Sequence, residues 1–150
     1  MRLFLDTSVL LAACGSAKGA SREIFRLAPR QNWTLVTIPY VLDEVGRNLA
    51  ALPYRASAGW VRLRANLVIE DNILSLDRPA IFSAGKNRPI LFSALAWADV
   101  LLTLDSRHFG DLLGGSFYGL PGIAAWRFSR ARAHDEPAAL DLRHESREKC

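Results

Sequence analysis

Two stretches of this chain end in the same way, and together they restrict its fold more than any other feature. Leu3-Phe4-Leu5 runs into Asp6-Thr7-Ser8, and Val100-Leu101-Leu102-Thr103-Leu104 runs into Asp105-Ser106. A short, nearly all-apolar run suits a strand buried on both faces, as in the interior of a parallel sheet. The intervening segments read mostly as helices. Ser21 is placed to cap one, with Glu23 near its start and Ile24, Phe25 and Leu27 as apolar positions. Trp33–Ile38 reads as a strand, and Pro39 opens a helix with Val41, Leu42, Val45, Leu49 and Leu52 on one face. Ala56–Leu67 is expected to be helical, Ile73–Leu76 a short strand, Pro89–Ala98 a helix, and a last strand lies near Ile123–Ala125. Strands alternating with helices predict an α/β protein, a three-layer α/β/α sandwich around a short central parallel sheet.

Composition narrows the class. A chain of 150 residues matches one domain, and 50% hydrophobic with 23% charged residues excludes a mainly disordered protein. The longest stretch without charge, Leu112–Trp126, is interrupted by four glycines and Pro121, so no membrane span is expected. Leu11-Ala12-Ala13-Cys14 superficially resembles a lipoprotein cleavage box, but Asp6-Thr7-Ser8 breaks the apolar run such a signal needs. Two cysteines, Cys14 and Cys150, make no disulfide scaffold, and a cytoplasmic location is the default expectation. The segment from Arg130 to Cys150 carries five basic and five acidic residues and reads as a charged extension. The formal charge of +4 therefore belongs to a body spanning 1–129, and it suits a phosphate-rich partner.

The chemistry is expected at the carboxyl ends of the strands, where open α/β sheets form their ligand crevice. If the two aspartate-ended strands are neighbours, Asp6 and Asp105 converge there; alternatively, each caps the helix that follows it. Glu44 is the third candidate, at the border of the apolar face of the Pro39 helix, with Asn48 one turn on and Asp43 nearer solvent. Two carboxylates about 5–6 Å apart repel by roughly 3 kcal/mol at an effective dielectric of 20. A divalent cation relieves that repulsion, and an all-oxygen donor set suits Mg²⁺ or Mn²⁺ and hence phosphate chemistry.

FLDTSVLLAA at the start, VLDEVGRNLA in the middle and NRPILFSALAWADVLLTLDSRHF near the end resemble the PIN-domain nucleases, a group that includes the VapC-type toxins. The resemblance implies a parallel-sheet sandwich, a quartet of acids, one or two Mg²⁺ or Mn²⁺ ions and hydrolysis of RNA phosphodiester bonds. It also implies a small cognate antitoxin protein and a homodimer. Asp6 matches the first acid, Glu44 the helix acid, and Thr103 and Asp105 the threonine-x-aspartate element. Asp99 matches an aspartate that is usually structural. The third acid normally stands two residues before a helix-opening proline; here that position is Asn87, before Pro89. Asparagine offers a carbonyl oxygen without charge, and equally a helix cap.

The resulting expectation is a metal-dependent endoribonuclease whose catalytic set is Asp6, Glu44, Asp105, Asn87 and Thr103. Asp6, Glu44 and Asp105 would hold the metal, while Arg88, Arg107 and His108 would contact RNA. The interleaved Tyr54, Arg55, Trp60, Arg62 and Arg64 suit nucleic acid, a helix with solvated arginines or equally a dimer surface. The rival is a non-catalytic RNA- or partner-binding module in which Asn87 marks a degenerate site. A phosphatase would need an aspartate at position 8, which is Ser8.

Overall fold

Leu3, Phe4 and Leu5 are each fully buried, worth about 1.5–3 kcal/mol apiece in apolar transfer, and they form the centre of the sheet. The computed structural model describes residues 1–77 and 85–133. In chain order the described elements are β1 (Arg2–Leu5), α1 (Thr7–Gly15), α2 (Ala20–Leu27), β2 (Thr34–Thr37), α3 (Pro39–Leu49), α4 (Arg55–Arg64) and β3 (Val68–Ile69). They continue with α5 (Arg88–Trp97), β4 (Val100–Thr103), α6 (Ser106–Phe109), β5 (Ser116–Phe117), β6 (Leu120–Ala124) and α7 (Ala125–Ala133). The strands form one six-stranded sheet in the order β3-β2-β1-β4-β6-β5. Pairing is parallel except at the β5–β6 edge.

The chain lays β2 and β3 on one side of β1, then returns to place β4 on the other side. Strand order thus reverses between β1 and β4, and the crevice expected at such a switch point opens beyond their carboxyl ends. Leu3 pairs with Val100 and Leu5 with Leu102, which brings the two strand ends level. Helices cover both faces of the sheet: α5 packs on β1 and β4, α7 on β4 and β6, and α2 on α7. The three-layer α/β/α reading holds.

Several boundaries differ from expectation for physical reasons. Helix α2 begins after Gly19, and Ser21 lies inside it, buried, so it caps nothing. No strand forms at Ile73–Leu76. The edge strand is Val68–Ile69, after which the chain leaves β2, and the Ile73 N–H bonds the Ser93 hydroxyl instead (2.8 Å). Strand β5 adds an antiparallel edge to the expected parallel sheet, because Tyr118 and Gly119 both take positive φ (49° and 90°) and close a two-residue hairpin. Helix α7 runs through position 129, the expected edge of the body, and residues 134–150 of the expected extension lie outside the described residues.

Candidate functional site

Each strand-end aspartate both caps a helix and faces the same cleft, so the two expectations for these residues hold together. Asp6 is the N-cap of α1, its Oδ1 accepting from the Thr7 N–H at 2.7 Å. Its Oδ2 accepts from the Ser8 hydroxyl (2.8 Å) and the Thr103 hydroxyl (2.7 Å). Ser8 in turn accepts from the Leu104 N–H (2.9 Å) and Thr103 from the Asp105 N–H (3.0 Å). This lattice of hydroxyls ties the start of α1 to the end of β4. It holds two carboxylates near each other at the switch point.

Asp6 is buried, and desolvation raises its pKa above 3.8; the bonds from Thr103, Ser8 and Thr7 oppose the rise, and the nearby charge of Asp105 adds to it. Asp105 differs. Partial burial pushes its pKa up, but the His108 side chain, the His108 and Arg107 backbone amides and the His108 charge outweigh that and leave it below 3.8. The His108 ring Nδ1 lies 2.7 Å from Asp105 Oδ2, and the His108 N–H donates to Oδ1 (3.1 Å). Two neighbouring carboxylates are thus pushed in opposite directions by their surroundings.

Glu44, on α3, accepts from the Thr7 hydroxyl at 2.7 Å and so is fixed to the start of α1. Asn48, one turn on, donates to the Glu44 carbonyl (2.8 Å). Asp43 is exposed, as its place on the helix predicts. Asp6, Thr7, Ser8, Leu11, Glu44, Asn48, Lys86, Asn87, Asp105 and His108 line one cleft of about 220 Å³. Thr103 lies beneath it, fully buried.

Asn87 departs from its expected role as a cap. It occupies the N-cap position of α5 but makes no side-chain cap bond. A short 3-10 turn, Gly85–Asn87, leads into it and leaves its backbone helical (φ −97°, ψ 0°) rather than extended as a capping side chain requires. The residue is only 4% exposed, and its Nδ2 has no hydrogen-bond partner among the described residues. A buried unpartnered amide costs about 1–3 kcal/mol.

Arg88 and Arg107 are exposed and do not line the cleft. The Asp99 carboxylate accepts from the Arg2 N–H (2.7 Å) at the opposite end of β4, a structural role. On α4, Leu63 and Ala56 are buried while Arg55, Arg62 and Arg64 are exposed, and this helix contributes nothing to the cleft. Sequence reasoning missed Thr7, Ser8, Leu11 and Lys86. Thr7, Ser8 and Lys86 were signalled only by nearness in sequence to Asp6 or Asn87, and Leu11 by nothing.

Among the described residues no three His, Cys, Asp or Glu side chains stand close enough to share one ion directly. The donor set nevertheless fits a hard divalent cation. The carboxylates of Asp6, Glu44 and Asp105 offer only oxygen donors in one cleft, and Mg²⁺ commonly keeps several waters that bridge wider gaps.

No protein-family model and no curated protein matches the chain. Among solved structures it is similar to a chain of VapBC2 from Rickettsia felis bound to a promoter DNA fragment, with a TM-score of 0.60 at 16% identity over 83% of this chain and 98% of that one. The chain has the PIN-domain fold. A second PIN-fold structure, VapC20 of Mycobacterium tuberculosis, a sarcin-ricin loop cleaving toxin, aligns at 18% identity and a TM-score of 0.43 over 73% of this chain and 94% of that one. Among the described residues no helix is long and apolar enough to cross a membrane.

Proposed function

We propose that this PIN-fold chain is a metal-dependent endoribonuclease and the toxin of a type II toxin–antitoxin pair. The observation that carries the reading is the gathering of Asp6, Glu44 and Asp105 around one cleft at the switch point of the sheet. The R. felis VapBC2 likeness adds support for the fold, and for a small antitoxin as partner; a homodimer is part of the same reading.

Asp6, Glu44 and Asp105 would hold Mg²⁺ or Mn²⁺, directly or through water, with Asn87 contributing a neutral oxygen. The bound cation supplies charge neutralisation and Lewis acidity at the phosphate. The chain's own residues do the rest. Thr103, Ser8 and Thr7 orient the Asp6 and Glu44 carboxylates, and His108 fixes that of Asp105. Lys86 brings a positive charge into the cleft, where the scissile phosphate would lie, while Arg88 and Arg107, each beside a cleft residue in sequence, would meet the flanking phosphates.

A second reading has its own support. Asn87 stands where the family resemblance expects an acid, and Lys86 beside it adds a cation, so the cleft carries less negative charge than a four-acid site. A non-catalytic RNA-binding module would have those features. Incubating purified protein with RNA in Mg²⁺, Mn²⁺ or EDTA, beside Asp105→Asn and Asn87→Asp, separates the two. Cation-dependent cleavage abolished by Asp105→Asn supports the nuclease. Cleavage only after Asn87→Asp supports the degenerate module, and cation-independent cleavage untouched by Asp105→Asn sinks the mechanism.

A further inference from the structure

Strand β6 lies parallel to β4 with Thr103 level with Ala124, so its carboxyl end faces the same side as the acidic cleft, one strand spacing (about 4.8 Å) beyond β4. Helix α7 starts at the next residue, Ala125, and its first turn carries two aromatic side chains with different surroundings. Phe128 points inward, buried and edge-on to Trp33 at 5.0 Å. Trp126 points outward and is 46% exposed. The guanidinium carbons of Arg127 and Arg130 lie 5.2 Å and 5.9 Å from its ring centroid, and neither arginine forms an ion pair among the described residues.

Beside this indole is a slot of about 340 Å³, with Leu113 and Ile123 as apolar walls and Trp126, Arg127 and Ser106 among its lining. No acidic side chain lines it. Ser106 directly follows Asp105, so consecutive residues line the slot and the cleft. An apolar slot with an exposed aromatic wall and two cationic neighbours matches a nucleobase and its phosphate. A base stacks on the ring face in place of a guanidinium that lies over it, and the displaced guanidinium groups neutralise the backbone. Only an unpaired base can enter such a slot, because a base within a duplex is already stacked on both faces.

We propose that Trp126, with Arg127 and Arg130, forms a stacking subsite for a base of single-stranded RNA that passes through the acidic cleft. The subsite rests on the nuclease reading for its place along the substrate, but binding there requires neither a cation nor cleavage. The test is the affinity of 5′-fluorescein-labelled single-stranded hexauridylate in EDTA, by anisotropy, for wild type, Trp126→Ala and Trp126→Phe.

Trp126→Ala should bind about 5- to 150-fold more weakly, while Trp126→Phe, which keeps a ring face, should stay within a few-fold of wild type. Arg127→Gln should lower the salt dependence of log Kd by about one unit. Trp126 is exposed, and matching thermal melts establish that the variants are folded. Equal affinity of wild type and Trp126→Ala overturns the subsite even if the protein cleaves RNA. Trp126-dependent binding without hydrolysis in any cation sinks the nuclease reading and leaves the subsite standing. Equal affinity for a duplex of the same length overturns it. So does a Trp126→Ala variant that loses self-association in sedimentation while binding hexauridylate unchanged, because the patch is then a protein interface.

Discussion

Thr103→Val tests the hydroxyl lattice that organises the cleft. Thr103 ends β4 with no exposed surface, its hydroxyl donating to Asp6 Oδ2 at 2.7 Å and accepting from the Asp105 N–H at 3.0 Å. Valine keeps the branched shape and removes both bonds. A bond to a carboxylate contributes about 1.5–3 kcal/mol and a neutral one about 0.5–1.5. The added methyl returns up to about 0.8 kcal/mol, which leaves a net loss of about 2–3 kcal/mol. With a urea slope of about 1–3 kcal/mol/M, the unfolding midpoint should fall by roughly 1 M. Thr103→Ser is the control, because it keeps the hydroxyl and loses only a methyl, about 1 kcal/mol. The Thr103→Val loss should also shrink as pH falls through the raised folded value of Asp6, as protonation removes the charge that the bond stabilises. A Thr103→Val midpoint no lower than that of Thr103→Ser at pH 8 would refute the reasoning.

Other consequences are as direct. Asp6 has its folded pKa raised, so the stability contributed by its neutral form is complete below the unfolded value of 3.8 and is lost as pH rises through the folded value. Wild-type stability should therefore fall as pH rises through the folded value of Asp6, and Asp6→Asn, which cannot ionise, should lack that fall in urea titrations. Asp105 has its pKa lowered, so its contribution is present above 3.8 and is lost as pH falls through the folded value. His108→Ala should move the Asp105 carboxyl titration upward in carbon-detected NMR, at a cost of about 0.2–1 kcal/mol for this partly exposed pair. A Cβ at Gly122 would lie 2.7 Å from the Leu112 carbonyl oxygen, so Gly122→Ala should lower stability by about 1–3 kcal/mol in the same urea assay.

The centre of this fold is legible in the sequence because its strands are buried on both faces. Leu3–Leu5 and Leu101–Leu102 could only be apolar there. The edges are harder to read. Helix α1 is enclosed by β4, α2, α3 and α4, so it shows no polar stripe, and only its capping aspartate announces it. Val68–Ile69 and Ser116–Phe117 are two-residue strands, too short for any period, and the Tyr118-Gly119 turn lacks the usual asparagine or aspartate signal. The acids of the site are visible because each ends a strand or borders a helix face. The hydroxyls of Thr7 and Ser8 and the charge of Lys86 acquire their roles only through contacts made in three dimensions. Asn87 shows the limit in the other direction: its residue type and Pro89 allow a cap, but after the preceding 3-10 turn it makes no side-chain cap bond and its amide nitrogen is unpaired among the described residues.

The central claim is that Asp6, Glu44 and Asp105 act together on one divalent cation. Calorimetric titration of the full chain with Mn²⁺, beside Asp6→Asn, Glu44→Gln and Asp105→Asn, tests it most directly. The account predicts saturable binding that each substitution weakens at least tenfold, about 1.4 kcal/mol, without unfolding the protein. Binding unchanged in all three variants, or absent from wild type, would contradict it.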